Sequence, residues 1–301
     1  MKIGVVIRTG PLGEGASPAP YSHLRDMALR IEAAGFDSIW LYDHLLYRWP
    51  DRPTTDGIWE CWTVLTALAA TTQRVELGTM VLCTAFRNPA LLAKMAATLD
   101  EVSSGRLILG LGAGWHQPEF DAFGFPFDHR VARFEEAVAV IKPLLRDGHV
   151  DFEGRYVSAP NCESIPRGPR PSGPPLLLAG RGPRMLEVVA RAADAWNTAW
   201  HPDLDSVRSA IERLHEACET VGRDPATLEI TAALAVAYPD LQGRSYTRTF
   251  VSGGADQIAD VLAGYADLGV GHMIIELAPF SPAGVERLTE AFQRSRASAS
   301  A

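Results

Sequence analysis

Short apolar segments and amphipathic helical segments alternate along nearly the whole chain of 301 residues. The apolar segments are unbroken and rich in β-branched residues, which is typical of parallel strands that helices cover. The helical segment at 21–34 places Leu24, Met27 and Ile31 on one face and ends at Gly35. The alternation predicts eight strands, each followed by a helix, at residues 3–7, 38–41, 75–82, 106–111, 176–178, 193–197, 228–237 and 273–277.

Eight strand–helix units in about 300 residues are the number at which a (β/α)8 TIM barrel closes, so this α/β fold is predicted. An open, doubly wound sheet is the alternative. The barrel is preferred because no shift in composition divides the chain, and residues 1–301 are treated as one domain. Residues 148–175 contain six prolines, which predicts an insertion after the fourth unit. The small, polar tail at 295–301 is predicted to be disordered.

Composition argues against several classes of protein. The chain has 28 Lys and Arg against 36 Asp and Glu, a formal net charge of −8, and no basic cluster to bind nucleic acid or an anionic membrane. Cys61, Cys83, Cys162 and Cys218 are widely spaced, which predicts free thiols and no metal site. The N-terminus lacks a signal-peptide pattern and no apolar run spans a bilayer, so a cytoplasmic protein is expected.

Candidate catalytic residues follow the second predicted strand. In TIM barrels the chemistry lies at the carboxyl ends of the strands. Asp43 and His44 stand side by side at such an end and form a usable acid–base pair, since a histidine side chain titrates near neutral pH. An ordinary polar start of a loop is the alternative. Glu119, which follows the fourth strand, is expected to lie on the surface.

Three alternating glycines, Gly110, Gly112 and Gly114, end the fourth strand. They are not a dinucleotide fingerprint, because Trp115 and Gln117 stand where that motif needs glycine. Backbone without side chains lets a flat ligand or a phosphate approach closely. The pattern therefore indicates that something flat lies against this segment.

The fifth strand leads into a second glycine-rich segment, Gly180-Arg181-Gly182, which opens a helix. Exposed N–H groups, the helix dipole and the Arg181 guanidinium together favour an anion, most often a phosphate. A plain strand-to-helix turn is the alternative interpretation.

Seven tryptophans are present, and several lie in or beside the strand-end loops. Trp49, Trp59, Trp62 and Trp115 are candidate walls of a substrate site and indicate an apolar or flat substrate, although core packing is the commoner use of such rings. The Gly- and Pro-rich loop at 9–20 and the insertion at 148–175 are candidates for a lid that excludes water.

Several of these segments together resemble the bacterial-luciferase-like oxidoreductase (luciferase-like monooxygenase) superfamily, and the nearest branch uses the deazaflavin coenzyme F420. The resemblance covers about residues 30–200 and weakens toward the C-terminus. It rests on the segments at 32–40 with Asp43 and His44, and at 74–79, 88–94, 104–115, 180–182 and 193–197.

The resemblance implies a TIM barrel with an insertion and often a homodimer. It also implies a non-prolyl cis peptide under the cofactor ring, which would be the Met80–Val81 bond. The cofactor contacts that it implies are Asp43, Met80, Val81, Cys83, Gly112, Ala113 and Gly114, with Gly180, Arg181 and Gly182 at the phosphate.

The first functional hypothesis is hydride transfer between coenzyme F420 and an unidentified small organic substrate. His44 would be the general acid–base, and Asp43 would anchor the ring or fix the tautomer of the imidazole. Trp49, Trp59 and Trp115 would contact the substrate. The sugar-phosphate dehydrogenases of the family carry a catalytic glutamate where this chain has Trp115, which argues against sugar-phosphate oxidation.

Two alternatives stay open. In one, the protein is a flavoprotein monooxygenase in which reduced FMN reacts with oxygen. In the other, the protein binds a cofactor without catalysing a reaction.

Overall fold

The computed structural model describes residues 1–11, 17–241 and 251–299. Its strands are β1 (Lys2–Val6), β2 (Ser38–Leu41), β3 (Leu46–Arg48), β4 (Thr55–Gly57), β5 (Glu76–Thr79), β6 (Leu82–Cys83), β7 (Leu107–Gly112), β8 (His149–Glu153), β9 (Ser158–Glu163), β10 (Leu176–Ala179), β11 (Ala195–Ala199), β12 (Glu229–Ala237), β13 (Val251–Ser252) and β14 (His272–Ala278). Its α-helices are α1 (Tyr21–Ala33), α2 (Cys61–Thr71), α3 (Pro89–Val102), α4 (Gln117–Phe123), α5 (Arg130–Arg146), α6 (Pro183–Ala192), α7 (Leu204–Thr220), α8 (Ala255–Asp267) and α9 (Pro282–Ala299).

Eight parallel strands close into a barrel. Their order around it is β1, β2, β5, β7, β10, β11, β12 and β14, and β14 pairs with β1 to complete the ring. The predicted (β/α)8 barrel is therefore confirmed, and the open-sheet alternative is wrong. Helix α9 continues to Ala299, within the segment 295–301 that the sequence predicts to be disordered; residues 300–301 lie outside the described part.

Local sequence explains where the helices begin and end. Helix α3 starts at Pro89, and the Asn88 side chain accepts a hydrogen bond from Leu91 N at 3.0 Å. Helix α1 is followed by Gly35, whose φ of +91° is costly for any residue with a Cβ. These stops return the chain to the barrel after each helix.

The barrel interior is filled by side chains. Val6, Trp40 and Ile274 belong to an inner cluster, whereas their neighbours along the strands pack outward against the helices. The Trp40 indole is fully buried, and a Cβ placed on Gly78 would come within 2.5 Å of its Cδ2 atom. Because the interior is packed solid, a ligand must bind above it, at the carboxyl ends of the strands.

The third barrel strand is shorter than predicted. Strand β5 stops at Thr79, the Met80–Val81 peptide is cis, and the chain resumes as β6 beside β7. The non-prolyl cis bond implied by the resemblance is confirmed at this position. The interruption directs residues 80–83 toward the carboxyl end of the barrel.

The insertion at 148–175 forms the antiparallel hairpin β8–β9 after α5. The Glu136 side chain of α5 holds its turn by accepting hydrogen bonds from the backbone N–H groups of Arg155, Tyr156 and Val157 at 3.0, 2.7 and 2.9 Å. The hairpin therefore packs beside α5. None of residues 148–175 lines the cavity described below, so the lid predicted from this insertion has no contact with that cavity. Residues 12–16 of the other candidate lid lie outside the described ranges.

His272, at the start of β14, links folding to pH. Its Nε2 lies 2.7 Å from Ser38 Oγ, and burial lowers its pKa from 6.5 to about 4. The unfolded chain therefore binds an extra proton between these pH values, so the free energy of unfolding falls as pH drops from about 6.5 to about 4, by on the order of 3 kcal/mol. Urea unfolding at pH 7 and pH 4.5 should reveal this loss, and His272→Asn should lose much less; equal losses in both proteins would contradict the assignment.

Candidate active site

A cavity of about 550 Å³ opens at the carboxyl ends of five consecutive barrel strands. Loops after β2, β5, β7, β10 and β11 all contribute to its wall, as expected for the active end of a TIM barrel. The lining residues are Tyr42, Asp43, His44, Tyr47, Met80, Val81, Cys83, Gly112, Ala113, Gly114, Trp115, Glu119, Ala179, Gly180, Arg181, Asn197, Ala199 and Trp200.

Most of the residues singled out from sequence meet in this wall. Gly182 lies just beyond it as the N-cap of α6, and Trp49 lies behind it, stacked on Tyr47 at a ring separation of 5.4 Å. Within the described residues, Trp59 does not line the cavity, because its indole Nε1 is turned toward Ala19 O, 2.8 Å away. Trp62 is buried in the outer core. These two tryptophans are therefore not walls of the cavity.

The His44 side chain is held by a carboxylate. Its Nδ1 lies 3.0 Å from Glu119 Oε1, and the other oxygen of Glu119 accepts a hydrogen bond from Leu45 N at 2.9 Å. The two side chains are 12% and 2% exposed, so water competes little for this contact. A carboxylate at Nδ1 favours the tautomer with its proton there, which leaves Nε2 to accept a proton from a bound molecule.

The surface position expected for Glu119 is wrong. The residue is 1% exposed and lies in the first turn of α4, which packs against the loop after β2. One available clue was an acidic residue in the first turn of a short helix directly after a barrel strand. That clue gives the position of Glu119 along the helix, but it does not show whether this position lies on the buried or the exposed face of the helix.

Asp43 has a different partner from the one predicted. Arg87 donates two hydrogen bonds to its carboxylate at 2.7 and 2.9 Å, and Cys83 N donates a third at 2.9 Å. The suggestion that Asp43 fixes the His44 tautomer is therefore wrong, because Glu119 makes that contact. Arg87, which the sequence analysis missed, also donates to Glu60 at 2.5 Å and so ties α2 to the active-site loops.

The Cys83 thiol lines the cavity as a neutral group. It is 3% exposed, and burial raises its pKa to about 12. The thiolate is the reactive form of cysteine, so this side chain contributes packing rather than nucleophilic chemistry at neutral pH.

Five rings form an aromatic cluster at one side of the mouth: His44, Tyr47, Trp49, Trp115 and His116. The ring centres of His44 and Tyr47 are 4.4 Å apart, and those of His44 and Trp115 are 5.6 Å apart. Buried His116 accepts a hydrogen bond from Arg48 N at its Nε2, 3.1 Å away, and burial lowers its pKa. Neutral His116 and Glu119 together fasten the β3–β4 hairpin to α4.

Glycines in the wall from β7 and β10 make room for neighbouring side chains of the protein. A Cβ on Gly112 would come within 2.6 Å of Val81 Cγ2, and one on Gly180 would come within 2.6 Å of Met185 Cβ. Beside this wall, α6 begins with Gly182 and Pro183, and the exposed Arg181 donates a hydrogen bond to Ala199 O. Because these glycines add no side chain of their own to the cavity, they leave room for a flat ring, and the helix N-terminus with Arg181 suits a phosphate attached to such a ring.

No α-helix in the described part of the chain is long and apolar enough to cross a membrane.

Comparison with known proteins links this geometry to a family. Residues 1–244 match the family model of luciferase-like monooxygenases. An F420-dependent glucose-6-phosphate dehydrogenase of Kineococcus radiotolerans is 32% identical over 76% of this chain and 68% of its own length. A phthiodiolone/phenolphthiodiolone dimycocerosates ketoreductase of Mycobacterium sp. (strain JLS) is 34% identical over 71% of this chain, and this match spans 61% of that relative.

Solved structures share the whole fold at lower identity. An F420-dependent secondary alcohol dehydrogenase with an F420–acetone adduct has a TM-score of 0.81 at 20% identity, covering 98% of this chain and 99% of its own. A monooxygenase from Streptomyces bottropensis has a TM-score of 0.79 at 21% identity, with full coverage of both chains. At these identities the similarity establishes a common barrel.

Proposed function

Because the chain belongs to the luciferase-like monooxygenase family, we propose that it is an oxidoreductase that uses coenzyme F420. Curated relatives named for F420 support this choice of cofactor, and the family resemblance read from the sequence is confirmed. The observation that carries the proposal is one cavity with a glycine-containing wall on one side and the His44–Glu119 pair on another.

The residues present fit the cofactor. Met80, Val81 and residues 112–114 would hold the ring, and Gly180, Arg181 and Gly182 would hold its phosphate. When bound, the deazaflavin ring supplies or accepts a hydride, which carries two electrons. The chain itself binds and orients this ring and handles the proton.

His44 is the proposed general acid–base. With Nδ1 held by Glu119, its Nε2 accepts the proton of a substrate hydroxyl as the neighbouring carbon is oxidised, and returns it in the reverse direction. The buried Glu119 carboxylate stabilises the imidazolium that forms. The proposed role of Asp43 is structural. Its ion pair with Arg87 and its hydrogen bond from Cys83 N hold the loops around the cofactor site in place.

The alternative is an FMN-dependent monooxygenase that uses oxygen. It is favoured by the family's name and by a riboflavin lyase solved with modified FMN, which shares the fold at a TM-score of 0.80, 15% identity and coverage of 99% of this chain and 92% of its own. Non-catalytic cofactor binding is the second alternative, and homodimer formation stays a prediction.

Binding titrations separate these functions. We expect oxidised F420 to bind more tightly than FMN, and Arg181→Ala to weaken F420 binding at least tenfold because a charge-assisted contact with the phosphate is lost. Arg191→Ala, at the exposed far end of α6, is the matched control and should bind F420 normally. Tight FMN binding with oxygen consumption and no F420 binding would favour the monooxygenase, and F420 binding without hydride exchange would favour the non-catalytic protein.

A further inference from the structure

Building on the proposed function, we propose that the substrate presents its hydroxyl or carbonyl carbon directly beside a flat, uncharged ring. The aromatic cluster would receive this ring, and His44 Nε2 would meet the oxygen. Three features of the cavity support the inference: an exposed aromatic wall, a preformed hairpin, and a carboxylate paired with the imidazole that reacts.

The first feature is Trp115. This indole lines the cavity and is nevertheless 53% exposed, so core packing does not account for its position. Its ring lies nearly perpendicular to that of His44, with 5.6 Å between the centres, and Tyr47 flanks His44 at 4.4 Å. A group bonded to the carbon that reacts at His44 would therefore contact these aromatic rings, and another flat ring packs well against them.

The second feature is that the aromatic wall is already assembled. Trp49 stacks on Tyr47 with an angle of 14° between the rings, and its centre is 6.1 Å from that of Trp115. Hydrogen bonds from Leu45 N to Glu119 and from Arg48 N to His116 hold the hairpin that carries these rings. Because these side chains are already ordered, a ligand that binds here loses little free energy to ordering them, and its binding is stronger.

The third feature is electrostatic. The hydrogen-bond partners of Glu119 among the described residues are His44 and Leu45 N, and no Lys or Arg is paired with its carboxylate. Among the described residues that line the cavity, the positively charged side chain is Arg181. It follows β10, three strands around the barrel from β2, which His44 follows. A phosphate or carboxylate next to the reacting carbon would be repelled by Glu119.

The proposed step balances with F420 as co-reactant. In the oxidative direction, the carbinol C–H bond breaks and the hydrogen leaves with both electrons to the oxidised deazaflavin. The O–H bond also breaks, its proton moves to His44 Nε2, and a C=O double bond forms. The carbonyl compound is the oxidised product, the deazaflavin is reduced, and His44 later releases its proton to water.

The test is calorimetric binding of three ketone probes to protein saturated with oxidised F420. Because ketone and cofactor are both oxidised, binding is measured without reaction. Acetophenone should bind about 3- to 10-fold more tightly than cyclohexyl methyl ketone, which is of similar size but puckered. It should bind at least tenfold more tightly than phenylglyoxylate, whose carboxylate lies next to the carbonyl.

Matched tryptophan variants locate the ring. Trp115→Ala should weaken acetophenone binding about tenfold, whereas Trp59→Ala, which removes a similarly exposed indole outside the cavity, should leave it unchanged. Equal acetophenone binding by Trp115→Ala and wild type, or binding of phenylglyoxylate as tight as that of acetophenone, would overturn the inference.

Repeating the titrations without cofactor separates the two proposals. If F420 fails to bind while acetophenone still binds in a Trp115-dependent way, the cofactor proposal fails and the ring specificity stands. If F420 binds and the three ketones are not discriminated, the ring specificity fails alone.

Discussion

Replacing His44 with alanine is expected to slow hydride transfer from 1-phenylethanol to F420 by about 10²- to 10⁴-fold, the usual contribution of a general acid–base. The affinity for F420 should change by less than about threefold, since the proposed cofactor wall lies on other loops. Single-turnover absorbance changes of F420 measure the rate, and fluorescence titration measures the affinity. A variant that keeps the wild-type rate would remove His44 from the mechanism.

Glu119→Gln is the companion variant. A glutamine has one acceptor oxygen, so it can keep the hydrogen bond from His44 or the one from Leu45 N but not both, and it no longer balances the charge of the imidazolium. A loss of about tenfold or more in rate is therefore expected. Glu135→Gln, which changes a half-buried carboxylate paired with Arg184 outside the cavity, is the control and should retain the wild-type rate. An unchanged rate in Glu119→Gln would show that the carboxylate does not assist His44.

Replacing Arg87 with leucine is expected to lower the free energy of unfolding by about 3–5 kcal/mol. The Asp43 side chain is completely buried, so this change leaves a carboxylate out of water without its counter-ion. Urea unfolding at pH 7 measures the loss. Arg184→Ala breaks the exposed pair with Glu135 and should change stability by less than about 1 kcal/mol.

A second substitution tests the stated cause. Adding Asp43→Asn to Arg87→Leu removes the unpaired charge, so part of the lost stability should return. If the double variant is no more stable than Arg87→Leu, the loss comes from packing of the arginine side chain rather than from the buried carboxylate.

The barrel could be predicted because its evidence is local and repeated. Each strand is an apolar run followed by a helical period, and the strand-end rule then placed Asp43, His44 and both glycine segments in one cavity. The partners of these residues could not be predicted the same way. Glu119 and His44 lie 75 positions apart, and Arg87 and Asp43 lie 44 apart, so each pair depends on how separate loops pack.

The tryptophans illustrate the same limit. Trp59 and Trp115 are the same residue type, both are about half exposed, and both lie between a predicted strand and the helix that follows it. One turns toward Ala19 and the other toward the cavity, which depends on the hairpin and on α4 rather than on neighbouring sequence. Composition could therefore suggest an aromatic site without identifying the rings that form it.

The double attachment of the β3–β4 hairpin to α4 has a consequence for how this enzyme could acquire new specificity. The Glu119 carboxylate is hydrogen-bonded both to the His44 imidazole and to the backbone N–H of Leu45, the next residue. Displacing the hairpin to admit a bulkier compound would therefore also displace His44, the proton acceptor. A compound that fits poorly would then be turned over more slowly, while its binding affinity would change less. A broader range of substrates would require substitutions in the β3–β4 hairpin and in α4 at the same time.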